Sequence, residues 1–410
     1  MMLQRTPAVR LAVVVIATLV VVSAIAAASM RQVQLDSGLT LIAVQDGWCD
    51  ISAVSVMVDA GSRYDPDERG GLAQLTNEML FEGTRDATWE EIADELDRLA
   101  IRYGALTSED YAEVYITSHK TEFDAALEWL AEFMLRPAFD EYRLDREKEI
   151  AIGSFESEMN DAFTRNYRSL SGLLFPGHPY SRPVLGTPES VRAATRDEIL
   201  SFYEQHYGGS NTVVVAVGDF DADEMVAELE VLFAGYPARD VIRREHSPVA
   251  LEGPSELDVY HEGEKGFIEI GFLGPEIGSD DYAAVQVMIG ALGDGSGSRL
   301  SDCFGDYDPA ELTVAGAFVS VRSEGVRLVA YASSDDVDGT LQTLNEEIEG
   351  MRTVAVSAVE LEQAKSRIET RFATHTETNK DKAGSIARRH LLGLPQDYRE
   401  VYFDRLESVT

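Results

Sequence analysis

The side chains that could carry chemistry are concentrated in residues 61–84, GSRYDPDERGGLAQLTNEMLFEGT. The pattern predicts a helix from about Gly70, and its buried face carries apolar residues at helical spacing: Leu72, Leu75 and Met79. Elsewhere on this helix Gln74 and Glu78 lie one turn apart, with Asn77 beside Glu78. Asn77 cannot take a proton from water, because an amide does not titrate in the useful range.

This segment resembles the corresponding part of the pitrilysin/insulinase family, the inverted-zincin metallopeptidases that include mitochondrial processing peptidase and its bacterial relatives. Four further segments resemble the family in the same order: LRPAFDEYRLDREKEIAI, LFPGHPYSRPVLGTPESV, FYEQHYGGSNTVVVAVGDFD and, more weakly, GALGDGSGSRL. The resemblance covers nearly the whole chain after residue 30. It implies an α+β fold of two related domains, each a mostly antiparallel sheet with helices packed on it, which face each other across a chamber.

The family's catalytic helix carries H-x-x-E-H, in which two histidines hold zinc and the glutamate is the general base. By resemblance, Gln74 stands in place of the first histidine, Asn77 in place of the base and Glu78 in place of the second histidine. The third zinc ligand, a glutamate on a later helix, corresponds to Ser154. A metal held by Gln74, Glu78 and Ser154 would have one carboxylate and two weak neutral oxygens, a set closer to a poor calcium site than to a zinc site. The resemblance therefore predicts that no zinc or other cofactor is bound and that hydrolysis by the family mechanism is absent.

Carboxylates near Ser154 do not restore the lost ligand. Glu147 and Glu158 share its helix face by spacing, but one helical turn moves a side chain by ~5.4 Å, more than a zinc bond of ~2.1 Å tolerates. By helical spacing, Glu156 lies on a different face of the helix from Ser154. We therefore predict no catalytic residue and no metal ligand in this region.

The histidines and cysteines are predicted to have structural or solvent-exposed roles. His178 and His206 lie in loop or helix-end contexts, where a hydrogen-bonded or solvated ring is favoured over a metal ligand. The remaining histidines form no pair at ligand spacing: His119, His246, His261, His375 and His390. Cys49 and Cys303 are interpreted as two buried thiols, and a disulfide between them is the less favoured alternative.

A glycine-rich segment later in the chain has two interpretations. Its glycines favour a tight connection between a helix and a loop, whereas in non-catalytic family subunits such a segment helps to handle substrate; they are Gly290, Gly293, Gly295 and Gly297. Beyond Arg299, where the family often has substrate-binding Arg and Tyr residues, this sequence offers only Tyr307, which is poorly placed.

Composition and the first thirty residues indicate the compartment and exclude one class of partner. The chain has 35 Lys+Arg against 72 Asp+Glu, a formal charge of -37, which argues against nucleic acid as a partner. Arg5 and Arg10 precede an apolar run from Leu11, which is typical of an export signal; an uncleaved membrane anchor is the alternative. We expect a periplasmic or extracellular protein that contacts the membrane only through this segment.

The order of predicted elements suggests an internal duplication. The sequence predicts a first domain over 31–237, a linker over 238–255 that is rich in Pro, Gly and charge, and a second domain over 256–410. One predicted helix runs through TWEEIADELDRLAIRYGA, and the second domain is predicted to begin with the strand ELDVYHE. The final LESVT resembles a helix start, so we expect the second domain to lack its last helix and strand.

Three functions remain open at this stage. The favoured one is a non-catalytic peptidase homologue that pairs with a zinc-bearing homologous subunit and completes its substrate chamber. The second is a peptidase that uses displaced carboxylates, such as Glu78, Glu147 and Glu158, around some metal. The third is a stand-alone protein that binds extended peptides along an edge strand.

Overall fold

The computed structural model describes residues 30–239, 241, 246, 249–260, 265–305 and 314–410. The predicted leader up to residue 29 lies outside the described residues, as do His261 and Tyr307. Within the described part of the chain, no helix combines the length and apolar character needed to cross a membrane.

The first half of the chain builds a six-stranded sheet in the order β1-β2-β6-β3-β5-β4. The strands are β1 Met30–Gln34, β2 Thr40–Gln45, β3 Ile51–Val58, β4 Arg102–Thr107, β5 Ala112–His119 and β6 Thr212–Gly218. Every pairing is antiparallel except that of β2 with β6. The central β6 is a run of valines that is buried along its whole length, as expected for a strand covered on both faces.

Eight helices accompany this sheet within the described residues. They are α1 Leu72–Glu78, α2 Trp89–Arg98, α3 Phe123–Leu135, α4 Glu141–Asn160, α5 Ala162–Leu174, α6 Pro188–Ala193, α7 Arg196–His206 and α8 Ala222–Leu232. The main core lies between one face of the sheet and these helices, where Val54 and Val56 of β3 meet Leu75 of α1 and Leu127 of α3.

The second half repeats part of this plan around a three-stranded antiparallel sheet in the order β7-β9-β8. Its strands are β7 Gly266–Gly274, β8 Ala315–Arg322 and β9 Gly325–Ser334, and its helices are α9 Tyr282–Gly293, α10 Arg299–Phe304, α11 Val337–Thr353, α12 Ala358–Thr374, α13 Asn379–Leu391 and α14 Tyr398–Ser408. The order β7-β9-β8 matches β3-β5-β4 of the first sheet, as an internal duplication predicts.

Each half covers the remaining face of the other half's sheet with one helix. Helix α13 packs on β3 and β6, where Ala383 and Ala387 join Met57 and Val215 in a small buried cluster. Helix α5 packs on β7, where the backbone of Gly271 lies close to leucine side chains of α5. This exchange buries apolar area on both sheets and holds the two halves against each other. The predicted α+β fold with two related units is thereby confirmed.

Several local predictions are wrong. Helix α2 ends at Arg98, Ala100 has a positive φ of 52°, and Tyr103 lies in β4 instead of continuing the helix. Residues 256–260 of the predicted strand ELDVYHE form no strand. Leu406 and Ser408 lie at the end of α14, not at the start of a helix.

The two cysteines are also placed differently from the prediction. Cys49 and Cys303 are both exposed free thiols, so the interpretation as buried thiols is wrong. The Sγ atom of Cys303 lies 3.5 Å from Oε1 of Glu347 on α11.

Candidate functional site

The start of helix α1 is fixed by a buried carboxylate. One oxygen of Asp65 accepts a hydrogen bond from the Gly71 N–H and the other accepts one from the Ala73 N–H, both at 2.8 Å. These bonds satisfy donors that a helix start leaves without partners. Gly71 has a φ of 96°, and a Cβ there would lie 2.8 Å from the carbonyl oxygen of Leu185. The helix that should carry the family's motif therefore begins at one defined position.

Asn77, at the position of the family's general base, is fully buried and anchors α1 to the sheet. Its Nδ2 donates to the carbonyl oxygen of Leu106 at 3.1 Å, to Oγ1 of Thr107 at 3.1 Å and to the carbonyl oxygen of Glu113 at 3.2 Å. All three acceptors belong to β4 and β5. The side chain thus serves as a hydrogen-bond donor between a helix and two strands, which an ionised carboxylate could not do.

Gln74 and Glu78, at the positions of the two zinc-binding histidines, bond to each other. Nε2 of Gln74 donates to Oε1 of Glu78 at 2.9 Å, and both side chains are half-buried. Burial, followed by the negative charge of Glu147, raises the pKa of Glu78 to about 7, although the bond from Gln74 opposes this. Near neutral pH this carboxyl group is therefore divided between its protonated and its charged form.

Glu147 approaches this pair from helix α4. Burial raises the pKa of Glu147, and the nearby charge of Glu82 adds to the effect. Glu82 is paired with Arg143, whose guanidinium also lies 4.3 Å from the ring centre of Trp89. Three carboxyl groups and one paired guanidinium therefore meet between α1 and α4.

The structure does not add Ser154 or Glu158 to this cluster. Ser154 is exposed, and it lies seven residues beyond Glu147, roughly 10 Å along the helix. Glu158 is paired with Arg168 of α5, and Glu156 is exposed. The displaced-ligand set of Glu78, Glu147 and Glu158 is thus only partly assembled.

Zinc does not fit the residues that stand at the family's ligand positions. Zinc in proteins prefers imidazole and thiolate with one or two carboxylates, and these positions hold the amide of Gln74, the carboxyl group of Glu78 and the exposed hydroxyl of Ser154. The Nδ2 donor of Asn77 is already committed to backbone and hydroxyl oxygens. No catalytic step through zinc follows from this helix.

The glycine-rich segment has a structural use at each of its glycines. Gly290 faces Ala364 of α12, and a Cβ at Gly293 would lie 2.3 Å from the backbone nitrogen of Ala317 in β8. Gly295 and Gly297 have positive φ angles of 80° and 77° in the loop that follows α9. These contacts favour the tight helix-to-loop interpretation over substrate handling.

The structure brings together a second cluster that the sequence did not predict. His178, His246 and Glu324 form the one group of three or more His, Cys, Asp or Glu side chains, within the described part of the chain, whose ligand atoms could hold a metal ion. His178 is 146 residues and His246 is 78 residues from Glu324, so no local spacing in the sequence predicts that these side chains meet. His206, the other histidine singled out from the sequence, is buried against Tyr64 and Phe202 instead.

The fold and the altered helix define a two-domain protein of the inverted-zincin type. Two family models match the chain: Insulinase (Peptidase family M16) over residues 41–187 and Peptidase M16 inactive domain over residues 193–368. The chain therefore belongs to peptidase family M16.

The relatives of this chain are distant in sequence, but the matches cover most of the length of each protein. An uncharacterized zinc protease of Rickettsia felis is 24% identical over 360 residues, which cover 87% of this chain and 86% of that protein. The probable mitochondrial-processing peptidase subunit beta of Arabidopsis thaliana is 22% identical over 90% of this chain and 71% of that protein. A solved structure of a peptidase M16 inactive domain from Pseudomonas fluorescens superposes with a TM-score of 0.81 at 21% identity, covering 93% of this chain and 92% of that chain. At this identity the structural likeness supports the fold and leaves the activity open.

Proposed function

We propose that this protein is a non-catalytic M16 homologue that pairs with a zinc-bearing homologous subunit and completes its substrate chamber. The observation that carries the proposal is Asn77. The family's base position is occupied by an amide whose nitrogen lies 3.1 to 3.2 Å from three oxygen acceptors on β4 and β5. A group in this environment holds the fold together and has no capacity to activate water.

The scaffold around the altered positions supports a structural role. Asp65 still defines the start of α1, and Leu75 still packs in the main core. The helix keeps its place in the fold although Gln74 and Glu78, at the positions of the zinc-binding histidines, are a poor donor set for zinc. The Arabidopsis relative is named as a subunit, and we infer by analogy that this chain also works in an assembly with a second chain.

Co-expression with an M16 homologue that carries an intact H-x-x-E-H motif tests this proposal. We expect a one-to-one complex in size-exclusion chromatography with light scattering. Its peptide cleavage should depend on the partner's histidines and should not change with Glu78→Gln in this chain. A chain that stays monomeric, whether or not the homologue is present, would contradict the pairing.

A metallopeptidase with displaced ligands is the second candidate, because Glu78 and Glu147 approach each other between α1 and α4. A carboxyl group with a pKa of about 7 can exchange protons at neutral pH, as a general acid or base must. This candidate predicts peptide cleavage by the isolated chain that a chelator abolishes and that Glu78→Gln also removes. The first proposal predicts neither effect.

Peptide binding without turnover is the third candidate. Strand β4 ends the order of the first sheet, so an extended peptide could add to its outer edge. Beside it lies a cleft lined by Ile101, Arg102, Tyr103, Tyr115, Thr117 and Lys380. Fluorescence anisotropy with labelled unstructured peptides would support this candidate if the isolated chain bound them intact.

We also propose that the protein is exported, because residues 1–30 combine two arginines with an apolar run. Cell fractionation with an antibody against the second half of the chain tests this proposal. Signal in the periplasmic, extracellular or membrane fraction supports it, whereas signal confined to the cytosol would contradict it.

A further inference from the structure

The cluster of His178, His246 and Glu324 lies where three separate parts of the chain meet. His178 precedes a short helical turn at Pro179–Ser181 that follows α5, and Glu324 lies in the turn between β8 and β9. His246 belongs to the segment that connects the two halves of the chain. One side chain from each half and one from the connection therefore converge at a single point.

The contact distances are close to those of a metal site. Nε2 of His178 and Nδ1 of His246 each lie 3.0 Å from the same oxygen of Glu324, and all three ligand atoms lie within 4.8 Å of one another. Two ligand atoms of one tetrahedral zinc ion are about 3.4 Å apart, since each bond is about 2.0–2.1 Å. A relative movement of at most roughly 1.5 Å between the two most distant atoms would therefore bring all three within reach of one ion.

We propose that His178, His246 and Glu324 form a binding site for a divalent transition metal of the zinc type, which clamps the two halves of the protein together. Two imidazoles and one carboxylate are a donor set that suits Zn²⁺ or Co²⁺ better than Ca²⁺ or Mg²⁺. Three protein ligands leave a fourth position for water. The ion would link groups that are far apart in sequence, so its role is structural and separate from the altered catalytic helix.

The surrounding charges favour a cation at this point. The guanidinium of Arg63 is shared by three carboxylates: it lies 2.8 Å from Asp59, 3.0 Å from Glu324 and 3.7 Å from Asp110. The nearby Arg322 is already paired with Glu109 at 2.7 Å. Three carboxylates around one guanidinium leave an excess of two negative charges, which one divalent ion would neutralise.

One contact opposes metal binding and limits its strength. Nδ1 of His178 accepts a hydrogen bond from the Tyr180 N–H at 3.1 Å, so the proton of the neutral ring lies on Nε2, which donates to Glu324. Binding of a metal at Nε2 moves that proton to Nδ1 and breaks the bond from Tyr180. Loss of one hydrogen bond lowers the affinity by roughly tenfold, so we expect weaker binding than at a structural zinc site of four ligands.

Two of the three proposed ligands are partly exposed, which allows a bound metal ion to exchange with solvent. The His178 side chain is 5% exposed, whereas those of His246 and Glu324 are 23% and 20% exposed. Solvent therefore reaches the site mainly at His246 and Glu324. The same exposure makes His246 the residue to change, because its substitution disturbs the packed core least.

Co²⁺ titration of the tag-free, chelator-treated protein tests the site, because cobalt with nitrogen ligands absorbs visible light. We expect one Co²⁺ per chain, displaced by Zn²⁺. His246→Ala should weaken binding by more than roughly 100-fold, since even outer-shell partners of a metal are worth 10–100-fold. His375→Ala, which changes an exposed histidine at the end of α12, is the matched control and should bind like the wild type.

Glu78→Gln separates this site from the altered catalytic helix. Binding that survives Glu78→Gln and is lost in His246→Ala supports the proposal. Zn²⁺ should then raise the melting temperature of the wild type and of His375→Ala, but not that of His246→Ala. The proposal is overturned by an absence of Co²⁺ binding, by equal binding in His246→Ala, or by binding that Glu78→Gln abolishes.

Discussion

Replacement of Glu78 by glutamine should stabilise the protein at alkaline pH. The carboxyl group of Glu78 is half-buried, faces the charge of Glu147 and has a pKa of about 7, whereas an ordinary glutamate has one near 4.5. Between about pH 4.5 and pH 7, Glu78 is therefore mostly protonated in the folded protein and mostly ionised in the unfolded chain. Because the folded state binds more protons in this range, its stability falls as the pH rises from about 4.5 to 7.

The size of the effect follows from this range. Each pH unit between the two pKa values corresponds to about 1.4 kcal/mol, so the ionised carboxylate costs at most about 3–4 kcal/mol above pH 7. Glutamine has nearly the same shape and no charge, so it removes this cost. We expect Glu78→Gln to raise the free energy of unfolding by about 1–3 kcal/mol at pH 8 and to change it little at pH 4.5.

Urea unfolding at pH 4.5, 6, 7 and 8, followed by circular dichroism, measures this difference. Glu156→Gln is the matched control because Glu156 is exposed on α4, and we expect it to leave the free energy of unfolding unchanged at every pH. A destabilised Glu78→Gln variant at pH 8 would refute the reasoning. So would a stabilisation of the same size at pH 4.5, because that would not come from ionisation.

Three further substitutions test the scaffold by denaturant unfolding. Asp65→Ala removes the two hydrogen bonds that cap the start of α1 and should lower the free energy of unfolding by about 1–3 kcal/mol. Asp67→Ala, the control at a fully exposed carboxylate, should lower it little. Equal losses of stability in the two variants would contradict the capping role. Asn77→Glu should cost about 3 kcal/mol or more, because it removes both N–H donors of the amide and buries a carboxylate against the oxygen atoms that they contact. A variant as stable as the wild type would show that Asn77 is not the anchor. Gly293→Ala should cost about 1–3 kcal/mol by forcing α9 away from Ala317, and an unchanged stability would contradict that close contact.

Local pattern predicted most of the elements, and tertiary contacts decided the exceptions. The valine run of β6 and the periodic α3 were predictable because each signal is contained in one segment. Tyr103 continues the helical spacing of α2, yet it lies in β4, where its ring is 4.7 Å from Phe81. Pairing of β4 with β5 therefore overrides the local periodicity.

The contrast between local pattern and tertiary contacts also holds for the altered helix α1 and for the histidine cluster. The altered positions Gln74, Asn77 and Glu78 were identifiable because the segment around them resembles the family's motif, and that motif is contained in one helix. The anchoring role of Asn77 was not, since its acceptors are 29 to 36 residues away on two strands. The convergence of His178, His246 and Glu324 depends on how the two halves pack, which no segment of the sequence contains.

The central claim is that α1 keeps its shape but has lost the groups that hold zinc and activate water. Peptide cleavage by the purified chain, with added Zn²⁺ and with a chelator, tests it most directly when the wild type and Glu78→Gln are compared. The account predicts no cleavage above background in either protein under either condition. Zinc-dependent cleavage by the wild type that the chelator abolishes and that Glu78→Gln lacks would contradict it.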